Sequence, residues 1–292
     1  MADKVTGPQR PRRAIAVAVK KLREDSGKLL SEVAADLMIS TSKLSRLENA
    51  QGKPLPRDIR DLIRYYSIEG TALATRLREW VDEAQDPGWW AEFDAVMGGG
   101  LDAHLAYEAD ATVERAYTLP FVPALLQTAD YAEAVFRNME HLSEHKIRQL
   151  VVKVRIRRQE ALSRREGLEP LRLVAVTHES ALRQAVGSPK VLRDQLDQLI
   201  ERSQASNVSL RVLPFEAAPV FTMTCMYAYF EYQGALEQDV VHIETHAGFL
   251  NIEEPGRVAE YRKAHDDLVK ASLSEDDSRT FIRSIRDDMR VG

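Results

Sequence analysis

Residues 40–46, Ser-Thr-Ser-Lys-Leu-Ser-Arg, set four hydroxyls and two cations within about two helical turns. Short hydroxyls at a helix start reach phosphates or base edges. A guanidinium bonds guanine bidentately in the major groove, and an ammonium attracts phosphate without regard to sequence. The unpaired N–H groups of a helix amino end suit phosphate too. Such residues act only if an element holds them outward together. The surrounding segment, Leu30–Glu48, has the pattern for it. Val33 and Leu37 are apolar at i, i+4, Ala34 is small enough for a second helix to cross close, and Ile39 can plug the corner. Leu44 and Leu47 face back to the core. Ser40, Thr41, Ser42, Lys43, Ser45 and Arg46 then lie on or near the outward face. This is the spacing of a helix-turn-helix, whose second helix enters the major groove.

Ser40–Asn49, STSKLSRLEN, resembles the recognition-helix signature of the xenobiotic-response-element class of helix-turn-helix regulators, the repressor/Cro-like group. The likeness spans about Ala14–Tyr66. It implies base- and phosphate-reading roles for Ser40, Thr41, Ser42, Ser45 and Arg46, and backbone contacts for Lys43, Asn49 and Gln51. Two positions depart from that pattern. Met38 stands where the turn usually carries glycine, which suits a left-handed conformation at least cost. Leu29–Leu30 stand where a glutamine usually opens the first motif helix, so one phosphate contact is expected to be missing.

The chain has 292 residues, 44% hydrophobic and 29% charged, a globular composition long enough for two domains. Its net charge of −5 alone reads against a nucleic-acid binder. The charge is unevenly placed, however. Residues 1–66 hold 14 Lys+Arg against 8 Asp+Glu, a net +6, and the rest carries −11. A basic head on an acidic body is the electrostatic footprint of a regulator. The single cysteine, Cys225, excludes an internal disulfide and a cysteine-based zinc site. The first residues lack the apolar run of a signal peptide, and no stretch approaches a membrane span, so a cytoplasmic, nucleoid-associated protein is expected.

Helical stripes predict the rest of the head: Ile15, Val19 and Leu22; Ile59, Leu62, Ile63 and Tyr66; and Leu73, Leu77, Trp80, Val81 and Ala84 after a Thr71 cap. Residues 85–100 break the pattern, with a turn signal at Pro87–Gly88, a Trp89–Trp90 pair expected to pack at a domain junction or partner surface, and a glycine hinge at Gly98–Gly100. Beyond lie helical stripes at Ile147–Val154 and Leu192–Ile200, and strand-like runs from Leu171, Val208, Thr222 and Asp239. Two helices close the chain, the last capped by Ser274. The first two strands are predicted to pair parallel across a helix, the later ones antiparallel.

This body, with GWW, LAYEADATVERAYTLPFVPALLQTADYAEAVF, VRIRRQEAL, THESALRQAVG, LRVLPF and VVHIET in order, resembles the uncharacterised carboxy-terminal domain of an actinobacterial regulator group. Ala124 replaces that group's usual glycine. The resemblance implies an antitoxin-like regulator, often encoded beside a small partner protein.

Lys146–Arg165 holds eight basic residues against Glu160 and reads as a solvated face, or else a docking strip for acidic protein or flanking DNA. His242, Glu244 and His246 alternate as on a polar strand face, and His141 and His145 sit one helical turn apart. Neither set has a metal signature, and no cofactor or metal is expected. Glu179, after His178, reads as a helix cap, and Cys225 as core between Met223 and Met226. Phe215, Phe221, Tyr227, Tyr229, Phe230 and Tyr232 read as core or as the lining of an apolar effector pocket.

The expected fold is an N-terminal all-α helix-turn-helix domain of about five helices plus a C-terminal α+β domain with a small mixed sheet and packed helices. The boundaries are 1–84 for the DNA-binding head, 85–100 for the junction and 101–292 for a regulatory and dimerising body. The expected function is a sequence-specific transcriptional regulator binding a double-stranded DNA operator as a homodimer, under control of a small partner protein. The alternative is control by a small apolar metabolite. No catalytic constellation is present, so an enzyme is not expected.

Overall fold

The computed structural model describes residues 9–50, 52–97, 100–137, 139, 142, 144–165, 168–217, 225–233, 238–245 and 248–289. Its contacts separate a first unit, Met1–Ala91, from a second that starts at Glu92.

Among the described residues the first unit has five α-helices: α1 (Gln9–Asp25), α2 (Leu30–Asp36), α3 (Thr41–Glu48), α4 (Pro56–Tyr65) and α5 (Ala72–Glu83). The predicted stripes meet in one core of Ile15, Val19, Val33, Ala34, Leu44, Ile59, Leu62, Ile63, Leu77 and Val81. Burying each large aliphatic side chain stabilises by about 1.5–3 kcal/mol, enough for a small bundle to hold its helices in place. Gly27, at φ +66°, ends α1, a conformation that costs glycine little. Thr71 Oγ1 accepts from the Ala74 amide at 3.2 Å and so starts α5 as predicted. At the junction, Gly88 has φ +78°, and a Cβ there would stand 2.6 Å from the buried Trp90 ring. Trp89 packs edge-on against that ring, at 5.8 Å between centroids. Of the predicted glycine hinge, Gly98 and Gly99 lie outside the described residues.

The second unit runs α6 (Leu101–Asp110), β1 (Val113–Thr118), α7 (Ala129–Arg137), α8 (His145–Arg158), β2 (Arg172–His178), α9 (Glu179–Arg183), α10 (Pro189–Arg202), β3 (Val208–Leu213), β4 (Tyr227–Glu231), β5 (Val240–Thr245), β6 (Gly248–Ile252), α11 (Pro255–Ala271) and α12 (Glu275–Asp288). Its six-stranded sheet has the order β3-β2-β1-β4-β5-β6. β1, β2 and β3 pair parallel, and β1–β4, β4–β5 and β5–β6 pair antiparallel, so the mixed sheet is as expected. Side chains from α7, α10 and α12 cover one face, and those from α11 cover the other. Ser274 caps α12 by accepting from the Asp277 amide. β1 and β6 were not among the predicted strands, yet β1 is central.

The aromatic group does not line one pocket. Strand alternation sends Phe230 to the face under α7 and α10, and Tyr227 and Tyr229 to the face under α11. Phe215 is exposed against His178, and Phe221 lies outside the described residues. Cys225 precedes β4, partly buried beside the α11-face core. Glu179 is not the cap of α9: His178 Nδ1 accepts from the Ser180 amide at 3.2 Å, while Glu179 accepts from the Phe215 amide at 2.9 Å and from Arg183 at 2.6 Å.

The basic run also departs from the solvated-face reading. Arg158 is 6% exposed and bonds Glu108 of α6 through both carboxylate oxygens, Nη2 to Oε2 at 2.6 Å. Arg165 is buried against the carbonyls of Ala109, Ala111 and Glu169. Arg155 bonds Gln127 and lies 5.0 Å over the Phe136 ring. Of the eight, Lys146, Lys153 and Arg164 are exposed.

Candidate nucleic-acid interface

α3 begins at Ser40, whose hydroxyl accepts from the Lys43 amide at 3.1 Å. The cap satisfies one donor of the first turn and leaves Thr41 and Ser42 exposed beside it. Leu44 is buried in the core, which turns Ser42, Ser45, Arg46 and Asn49 outward at i, i+3, i+4, i+7. Arg46 is exposed, and among the described residues it makes no ion pair. Ser45 is half-buried. Asn49 ends the helix, its Nδ2 donating to the Ser45 carbonyl at 2.8 Å. Gln51 lies outside the described residues.

The turn before α3 keeps the left-handed position although glycine is absent. Met38 has φ +53°, and its side chain is 91% exposed. Ile39 donates to the Ala34 carbonyl at 2.9 Å, which closes the corner. At the start of α2, where the glutamine is absent, Glu32 accepts from the Leu29 amide at 2.7 Å, which caps the helix and supplies no donor to phosphate.

Three residues that position α3 were not singled out from the sequence. Arg23 of α1 grips Glu48 at the end of α3 with two bonds of 2.8 Å, the Glu48 side chain only 4% exposed. Hydrogen bonding to Glu48 raises the Arg23 pKa further. Asp58 of α4 holds Lys43 at 2.7 Å. A hollow of about 260 Å³ opens between the α2–α3 turn, α3 and α4, with Lys43, Arg46 and Asp58 among its walls. The acid in the buried stripe of α3 is the one local sign of such a partner; the partner itself sits 25 residues away.

The second unit holds a buried polar cluster on the α6 side of the sheet. His104 and Glu108 of α6, Glu114 of β1, Arg158 of α8 and His242 of β5 are all buried. Arg158 Nη2 stands 2.6 Å from His104 Nε2, and the His104 and His242 rings are 4.6 Å apart. Burial pushes Glu108 up, but the charge of Arg158 prevails and holds it at about 2. Burial and the Glu108 charge raise Glu114 to about 8, so this carboxyl carries a proton at neutral pH. Burial, then His104, lowers His242 to about 3. The polar strand face expected for His242, Glu244 and His246 is therefore not one face in solvent. His242 is buried 2.7 Å from Asn251, Glu244 is exposed, and His246 lies outside the described residues, as does His141. Among the described residues no group of three or more His, Cys, Asp or Glu is placed to hold a metal ion.

Comparison with known families places both units. Residues 101–284, more than half of the chain, match the family described as a domain of unknown function, DUF5753. The chain belongs to the DUF5753 family. Ahead of the DUF5753 region, residues 14–77 match the family described as a helix-turn-helix domain, which covers α2 and α3 with their supporting helices. No curated protein and no solved structure matches the chain. Among the described residues no helix is long and apolar enough to cross a membrane.

Proposed function

We propose that this DUF5753 protein is a sequence-specific DNA-binding transcriptional regulator that reads the major groove with the outward face of α3. The observation that carries this is Arg46, exposed and without an ion pair among the described residues, beside Ser42 on a helix within a matched helix-turn-helix domain. Ser40, Thr41, Ser42, Ser45 and Arg46 take base and phosphate contacts, and Asn49 and Gln51 take backbone contacts; Lys43, expected to join these two, is held by Asp58. One such module buries too little to be selective, so the protein acts as a twofold dimer on half-sites about one helical turn apart. It works in the cytoplasm on the nucleoid and catalyses no reaction. The body is the controlling part, antitoxin-like, and takes a small partner protein that prefers one state of the regulator. An apolar effector has less behind it, because the aromatic side chains divide between two faces of the sheet.

Genome-wide mapping of bound sites tests this reading. The expected result is a discrete set of sites sharing a twofold-symmetric sequence. Uniform coverage, or none, contradicts it.

A further inference from the structure

Lys43 and Arg46 both line the hollow beside α3, but their electrostatic situations differ. Lys43 Nζ is 2.7 Å from Asp58 Oδ1, while Arg46 makes no ion pair among the described residues. The Asp58 side chain is 9% exposed, and Lys43 is its one ion-pair partner there. Asp58 also sits in the first turn of α4, where the helix dipole favours a negative charge. Moving Lys43 to a phosphate would strand a largely buried carboxylate, a heavy cost for one exchanged contact. The neighbouring cations do not relieve Asp58: Arg57 and Arg60 are directed to Asp61, at 3.9 and 3.3 Å.

We infer that Asp58 is a specificity-setting residue of the DNA-facing surface: it withholds Lys43 from the phosphates and leaves Arg46 as the working cation of α3. This rests on the DNA-binding reading above. A withheld lysine releases no counterion, so it adds nothing to the salt dependence of binding. It also adds nothing to affinity for random DNA, while Arg46 keeps its contact to a base edge. The carboxylate thereby widens the gap between operator and non-operator sequences.

The test is equilibrium binding of the full chain to a random-sequence duplex of about 30 base pairs, followed by fluorescence anisotropy between about 50 and 300 mM salt. Each phosphate contact contributes a slope of about −0.9 in log K against log salt. Lys43→Ala is expected to leave the slope unchanged. Arg46→Ala flattens it by about 0.9, and Asp58→Asn steepens it by about 0.9 with several-fold tighter binding at low salt. Lys43→Ala combined with Asp58→Asn returns to the wild-type slope. Lys43→Met, which keeps the aliphatic stem, repeats the first arm should the alanine variant fail to fold. Flattening by the Lys43 variants, or no steepening by Asp58→Asn, overturns the inference and leaves the DNA reading intact. Absence of salt-dependent binding by the wild type overturns both.

Discussion

Met38 shows what one side chain costs in a turn. An L-residue at φ +53° carries a penalty of about 1 kcal/mol that glycine avoids, and the exposed thioether has no packing to lose. Met38→Gly is therefore expected to stabilise the head by about 0.5–1 kcal/mol, read as the shift of its denaturant midpoint. Destabilisation would show that the side chain packs after all. Glu114 is the opposite case, a residue tolerated in the core because it keeps a proton. Its folded pKa, about 8, lies above the ordinary 4.5. The stability it contributes is whole below 4.5 and is lost as pH rises through 8. The melting temperature of the body should fall between about pH 5 and 8 and level off above, and Glu114→Gln should flatten that fall. An equal fall in the variant would place the sensitivity elsewhere.

At the scale of elements, the helix proposed to read DNA is held from both ends. Leu44 anchors it in the core, Asp58 holds its start through Lys43, and Arg23 holds its end through Glu48. Charge-assisted pairs of this kind resist the rocking that would move Arg46 away from a base edge. Glu48→Ala should cost the head about 1–3 kcal/mol in urea unfolding and weaken DNA binding, although Glu48 itself points inward. Unchanged affinity in a folded variant would mean that α3 needs no such support. The same scale explains what the sequence made legible. The two motif helices, the Thr71 and Ser274 caps and the parallel β2–β3 pair follow from local spacing, and local spacing survives folding. β1 was hidden because Glu114 and Arg115 interrupt the apolar pattern of a central strand. Their partners, Glu108 and Arg158 for the first and Glu231 for the second, come from remote segments. The basic run of α8 misled for the same reason: Glu108, which draws Arg158 inward, lies 50 residues earlier. Of the site, the outward residues were legible, while Arg23, Glu48 and Asp58 were not, because pairing across helices leaves no periodic trace.

On the scale of the whole molecule, the net +6 of residues 1–66 and the −11 of the rest divide the work. A basic head draws the protein to DNA, and an acidic body opposes indiscriminate coating of it. Screening by salt should affect random DNA more than an operator held by base contacts. If a twofold dimer is the binding form, light scattering of the full chain should give twice the monomer mass at the concentrations where operator is bound, and a monomer mass there would contradict it. The central claim is narrower and has a direct test: the affinity of full-length Arg46→Ala with Ser42→Ala for a mapped operator at physiological salt, with the fold checked by circular dichroism. A bidentate arginine–guanine contact is worth about 1–3 kcal/mol, so the account predicts a loss of about 10- to 100-fold on the operator and a much smaller loss on random DNA. Operator affinity retained by the folded double variant would contradict it.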